Sequence, residues 1–167
     1  REGLLKSLLQ SPSLENHNKI LALHSSTRER LPYYEKVYKS IFAFTGKPGR
    51  ILDLACGLNP FSYPYLACKP DYLANELCEA DAAFVQSFFN GLRINGQAFA
   101  FDLLEFKQTP FSSYLRSDVC FLFKALDSLE AIHWDFSENL LSLIPSNFIV
   151  VSFSTKSLGG KKEIKSS

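Results

Sequence analysis

Four charged side chains accompany four apolar runs along this chain. Asp53 stands inside Arg50-Ile-Leu-Asp-Leu-Ala-Cys-Gly-Leu-Asn-Pro60, and Glu76 closes Tyr72-Leu-Ala-Asn-Glu76. Asp102 closes Ala98-Phe-Ala-Phe-Asp102, and Lys124 closes Asp118-Val-Cys-Phe-Leu-Phe-Lys124. Short apolar runs bounded by turn residues read as buried strands. In open parallel sheets, ligands bind in the crevice outside the carboxyl ends of the strands. Carboxylates there accept hydrogen bonds from hydroxyl and amino groups, and an ammonium donates to oxygen or ring nitrogen. That is chemistry of recognition and positioning. His17, His24 and His133 show no triad-like or metal-like spacing with a nucleophile. Cys56, Cys68, Cys78 and Cys120 form no Cys-x-x-Cys pair, so a zinc site is not expected, and their use suits a reducing cytoplasm.

The elements that must carry these residues follow from the pattern. Residues 50–55 are a strand running into a tight turn at Gly57; Asn59 suits an unusual backbone or a helix cap, and Pro60 a first helical position. The Gly-x-Gly-x-x-Gly dinucleotide fingerprint is absent, which disfavours NAD. Leu4, Leu5, Leu8 and Leu9 make one helical stripe, Ser11-Pro-Ser13 breaks it, and a second helix is expected from Leu14 to about Leu23. Thr27-Arg-Glu-Arg30 reads as a charged run before Pro32. Tyr33, Tyr34, Val37, Tyr38, Ile41 and Phe42 recur at helical spacing, and Gly46 ends that helix. A Pro-interrupted helix is expected over 61–66 and a longer one over 80–92, with Phe84, Val85, Phe88 and Phe89 inward. Asn95-Gly96 reads as a turn. Leu126, Leu129, Ile132 and Trp134 suggest another helix, and 147–153 a fifth strand. Five strands alternating with helices give an α/β fold: a parallel sheet with helices on both faces.

Composition sets outer bounds. A chain of 167 residues that is 46% hydrophobic makes one domain, long enough for a real core, and is not disordered. A formal charge of +1 gives no global basic field, so contact with nucleic acid must come from local patches. No apolar run reaches membrane-spanning length, so no membrane partner is expected.

The wording of Asp53-Leu-Ala-Cys-Gly-Leu-Asn-Pro60 resembles motif I of S-adenosyl-L-methionine-dependent class I methyltransferases. Within them it is most similar to the aminoglycoside-resistance 16S rRNA (guanine-N7) methyltransferases. His24-Ser-Ser-Thr-Arg-Glu-Arg-Leu31 resembles that family's segment before the core, and Val151-Ser-Phe-Ser-Thr-Lys-Ser-Leu-Gly-Gly160 its segment after the fifth strand. The matches cover residues 24–160 in order. The resemblance implies a Rossmann-like methyltransferase fold and S-adenosyl-L-methionine as cofactor. Arg28 would grip the cofactor carboxylate, because an Arg fork matches it bidentately. Asp53, Ala55 and Gly57 would supply the motif I wall, and Glu76 would accept the ribose hydroxyls. Asp102 would accept the adenine amino group, with Leu103 as an apolar contact and a turn-forming Asp as the competing reading. Lys124 would serve the acceptor base, since Lys suits the O6/N7 edge of guanine, and Lys156 and Ser157 would touch substrate.

Guanine N7 carries a free lone pair, so methyl transfer to it needs positioning and desolvation rather than a general base. Carbon-5 pyrimidine enzymes use a Pro-Cys setting, which is absent, and exocyclic-amine enzymes use an Asn/Asp-Pro-Pro-aromatic stretch where this chain has Lys124-Ala-Leu-Asp127. The expected partner is 16S rRNA in the small ribosomal subunit, met by a cytoplasmic monomer without a metal. Residues 1–31 would be a helical extension, a partial RNA-docking region, and 32–167 the cofactor-binding core. The resembled fold has seven strands, so the last two are expected to be missing. This implies either a longer parent sequence or a reduced form. The alternatives are a non-catalytic cofactor- or RNA-binding module derived from this family, and a methyltransferase with another substrate.

Overall fold

A computed structural model describes residues 1–108, 114–126 and 136–153. Helices α1 (Glu2–Gln10), α2 (Leu14–Leu21), α3 (Ser25–Arg30) and α4 (Tyr34–Thr45) precede the first strand. The strands are β1 (Arg50–Asp53), β2 (Asp71–Glu76), β3 (Gly96–Ala100), β4 (Ser117–Phe123) and β5 (Ser146–Ser152). Between them lie a 3₁₀ segment (Asn59–Leu66), α5 (Glu79–Leu92), a second 3₁₀ segment (Leu103–Gln108) and α6 (Phe136–Leu143). All pairings are parallel, in the order β3-β2-β1-β4-β5. The order reverses direction at β1, which is where an open sheet forms its ligand crevice.

Period-2 alternation along each strand sends side chains to two separate cores. Ile51, Tyr72, Ala74, Val119 and Phe121 face one side, under α1, α2, α4 and α5. Leu52, Leu73, Cys120 and Leu122 face the other, with Leu103, Leu115, Leu140 and Ile144. The first core is dense in aromatics: Phe61 and Phe88 rings lie 4.3 Å apart, and Tyr38 stacks on Phe121 at 5.7 Å. Aromatic pairs of this kind add to the burial energy of their area. The aromatics of α4 are therefore chiefly core, with Tyr34 and Tyr38 buried, while Tyr33 just before it is exposed.

The amino-terminal helices are part of this core. Leu5, Leu8, Ile20 and Leu21 are buried in it. Ser13 caps α2 by accepting the Asn16 N–H, His17 Nδ1 pairs with the Phe61 carbonyl at 2.8 Å, and the Tyr65 hydroxyl donates to Asn18 at 2.7 Å.

The charged run Thr27–Arg30, given no secondary structure by the sequence pattern, is helical; its Thr27 hydroxyl is buried and donates to the carbonyls of Leu21 and His24. Two local expectations change. Asn59 is neither a cap nor at positive φ; its buried amide bridges Tyr34 and Asp53, and the left-handed residues of this turn are Ala55 and Gly57. Gly96 is the first residue of β3 rather than a turn, so that strand begins two residues before the expected Ala98. The absent side chain explains this position. A Cβ at Gly96 would lie 2.7 Å from Phe89 ring atoms, and Phe89 is fully buried. Gly96→Ala should therefore cost roughly 1–3 kcal/mol, the range for overpacking. An unchanged urea midpoint would show that the ring yields freely. Helix α6 is not among the elements expected from the sequence, and Leu129, Ile132 and Trp134 lie outside the described residues.

Candidate cofactor and acceptor site

A cavity of about 340 Å³ opens at the carboxyl ends of β1 to β4, lined in part by Ser26, Ala55, Asn75, Glu76, Asp102 and Lys124. Leu77, Phe101, Leu103, Phe123 and Ala125 complete its wall. The volume lies within the range of small-molecule sites. Five of the residues expected from sequence thus meet here: Ala55, Glu76, Asp102, Leu103 and Lys124.

The turn after β1 is built by backbone rather than side chain. Ala55 sits at φ 50° and Gly57 at φ 53°. Asn75 ties this turn to β2, its Oδ1 accepting the Ala55 N–H at 3.3 Å while its Nδ2 donates to the Phe101 carbonyl at 3.0 Å. Sequence reasoning misses Asn75; its only signal is a polar residue next to the strand-end acid. The Glu76 carboxylate accepts the N–H of Gly57 and, at 3.2 Å, that of Leu77. These bonds hold an acid at the cavity wall in one orientation. A side chain at Gly57 would approach His24 Nδ1 at 3.7 Å and Glu76 Oε1 at 3.9 Å, so His24, Gly57 and Glu76 crowd one corner. Asp102 Oδ1 accepts the Leu104 N–H at 2.9 Å, a turn-forming bond made by a residue that also lines the cavity.

Asp53, at the end of β1, is 1% exposed and stands outside the cavity lining. Its Oδ2 accepts from the Tyr72 hydroxyl at 2.6 Å and from Asn59 Nδ2 at 2.9 Å, while Oδ1 is buried without a hydrogen-bond partner. Burial drives this carboxyl up from 3.8 to about 7, against the pull of those two hydrogen bonds and of Arg30. Arg30 is half-buried over the Phe123 ring at 5.0 Å, and its Nη1 is likewise buried and unpartnered. A polar thread joins the two residues: Arg30 Nε donates to the Tyr34 hydroxyl at 3.4 Å, and that hydroxyl donates to Asn59 at 3.0 Å.

Helix α3 borders the cavity. Ser26 lines it and Glu29 forms an ion pair with Lys124. Arg28 is exposed, one turn beyond His24, and is outside the cavity lining. Lys124 adopts a left-handed backbone at φ 58°, and its N–H donates to the Ser152 carbonyl at 2.8 Å. This turns the side chain away from the strand's alternation and into the cavity wall. Lys156 and Ser157 lie outside the described residues. Among the described residues no cluster of three or more His, Cys, Asp or Glu could hold a metal ion, and no helix is long and apolar enough to cross a membrane.

The cavity's acceptors suit an adenosyl group: a fixed acid at the end of β2, then an acid and apolar side chains after β3. Comparisons with known proteins bear on this geometry. The family model described as ribosomal RNA methyltransferase (FmrO) matches residues 14–166. A 16S rRNA (guanine(1405)-N(7))-methyltransferase of Micromonospora rosea is 32% identical over 145 residues, 86% of this chain and 51% of that protein. One from Serratia marcescens is 32% identical over 158 residues, 94% of this chain and 60% of its own length. The chain thus spans about half to three fifths of these relatives. Among solved structures, the 16S rRNA methyltransferase RmtF in complex with S-adenosyl-L-homocysteine superposes with a TM-score of 0.77 at 28% identity, covering 96% of this chain and 59% of that one. An rRNA methylase from Escherichia coli gives 0.77 at 27% identity, covering 94% and 62%. The parallel sheet is that of the class I methyltransferases, and this chain belongs to the FmrO ribosomal RNA methyltransferase family.

Proposed function

We propose that the chain is an S-adenosyl-L-methionine-dependent methyltransferase acting on N7 of a guanine in 16S rRNA, at the decoding site of the small ribosomal subunit. The observation that carries this reading is the convergence of Ala55, Glu76, Asp102, Leu103 and Lys124 on one cavity at the strand ends. Family membership and the relatives' activity support it. On this reading Glu76 accepts from the ribose hydroxyls, with its orientation preset by the Gly57 and Leu77 N–H groups. Asp102 has an oxygen left beyond its turn bond for the adenine amino group, and Leu103 packs against the ring. The cofactor supplies a methyl group on a sulfonium.

The base's own lone pair is the nucleophile, so the chain's residues orient it and exclude water. Lys124 donates to the guanine edge, and a stacked target base must first be flipped out to reach it. Lys156 and Ser157 extend the same edge. The helices over residues 1–31 act as a docking segment for rRNA, and the encounter takes place in the cytoplasm with the chain as a monomer. Aminoglycoside resistance is the expected consequence.

The deciding experiment pairs isothermal titration of S-adenosyl-L-methionine with a methylation assay on small ribosomal subunits. Binding with turnover supports the reading, and absence of cofactor binding would overturn it. Arg28 extends the test. If its guanidinium grips the cofactor carboxylate, Arg28→Ala weakens cofactor binding about 10- to 100-fold, the scale of hydrogen bonds between charged groups. Arg28→Lys recovers only part, because the fork is lost. Unchanged affinity in Arg28→Ala would make this exposed residue part of a solvated face.

A further inference from the structure

We infer that Glu29 recognises the target guanine by accepting its N1–H, with Lys124 beside it on O6. This rests on the proposed guanine-N7 reading. The observation behind it is the ion pair between Glu29 Oε2 and Lys124 Nζ at the border of the cavity. Glu29 arrives there on α3, the helix whose Ser26 lines the same cavity. Its side chain is 61% exposed, so it has access to an incoming base, whereas Lys124 is 23% exposed.

A touching ammonium and carboxylate present one donor and one acceptor side by side. Guanine offers the complement on adjacent atoms: O6 accepts and N1–H donates. Adenine offers a donor at the first position and no proton at the second, so the pair discriminates between two purines that both have a free N7 lone pair.

Charge gives Glu29 a second task. As N7 bonds to the methyl carbon, the carbon–sulfur bond breaks and its electron pair goes to sulfur. Positive charge passes to the purine, and N1–H becomes a stronger donor. Lys124 alone would oppose that charge. The Glu29 carboxylate offsets the lysine and strengthens its own hydrogen bond as the reaction proceeds, which is binding favoured in the transition state over the ground state. The proton stays on N1 throughout.

The test uses the full chain on small ribosomal subunits, with Glu29→Gln, Glu29→Asp, Lys124→Met and the Glu29→Gln/Lys124→Met double variant. Glu29→Gln should lower kcat about 10- to 100-fold, the scale of one hydrogen bond to a charged group. KM for subunits should rise by less than kcat falls, as expected where an interaction strengthens in the transition state, and Kd for S-adenosyl-L-methionine should stay within about twofold. Glu29→Asp should recover part of the rate. The double variant should be slower than Lys124→Met alone. A double variant equal to Lys124→Met would overturn the inference, because Glu29 would then act only by tethering the lysine. Wild-type kcat in Glu29→Gln, or a parallel loss of cofactor affinity, would overturn it too. If the unmutated chain binds cofactor but methylates nothing, the guanine-N7 reading falls and takes this inference with it. That outcome is distinct from a failure at Glu29 alone.

Discussion

Lys124→Ala is expected to lower methylation of small ribosomal subunits by roughly two to three orders of magnitude, the loss seen when one positioned donor leaves a catalytic site. Cofactor affinity should hardly change. The backbone at this position makes the substitution clean. Lys124 sits at φ 58° and holds the Ser152 carbonyl through its N–H. Alanine keeps both the Cβ and the N–H, so the left-handed strain and the β4–β5 junction carry over. What is lost is the ammonium and its ion pair with Glu29, and a partly exposed pair of that kind contributes little to stability. Titration and a methylation assay on one preparation separate the possibilities. Equal losses in both would make Lys124 a cofactor or folding residue, and full activity would leave it a bystander.

The second large effect concerns the buried acid. In the folded chain the Asp53 carboxyl titrates at about 7, against an ordinary 3.8, chiefly because it is out of water. Between those values the folded state holds a proton that the unfolded state has released. Stability from this group is therefore fully present below the unfolded value and is lost as pH rises toward the folded one. The slope approaches about 1.4 kcal/mol per pH unit. Asp53→Asn removes the titration while keeping the shape. The difference in unfolding free energy between the two proteins should shift in the variant's favour as pH rises from about 4 to about 7, and level off above. Urea unfolding at several pH values measures this, and a difference that stays flat across the window would show that Arg30 keeps the carboxylate charged throughout.

The sheet was legible because its strands are apolar runs with polar ends, and buried parallel strands leave that mark. Glu76, Asp102 and Lys124 were legible for the same reason: each closes such a run. What escaped depends on side-chain contacts that no local pattern announces. Helix α3 has six residues and no apolar stripe, and neither Ser25 nor Ser26 announces its start. It is held instead by the buried Thr27 hydroxyl and by Arg30 over Phe123. Asn75 reads as one more strand residue until the turn after β1 is seen to hang on its amide. Asn59 reads as a cap because its partners, Tyr34 and Asp53, lie 25 and 6 residues away. Arg28 rests on resemblance alone, and its exposed position is decided by the face of α3 that Thr27 anchors.

The packing of the first three helices has a consequence for modular exchange. A chimera that traded residues 1–31 for another docking segment would have to recreate contacts made from the inside. Leu9 fills the space over Gly91, Asn18 holds Tyr65, His17 holds Phe61, and Arg30 reaches the Tyr34 and Asn59 thread that ends on Asp53. No clean seam exists at residue 31. Segments on the two sides of that position are therefore expected to be inherited together, and a graft there would succeed only when its facing partners in the core are transplanted with it.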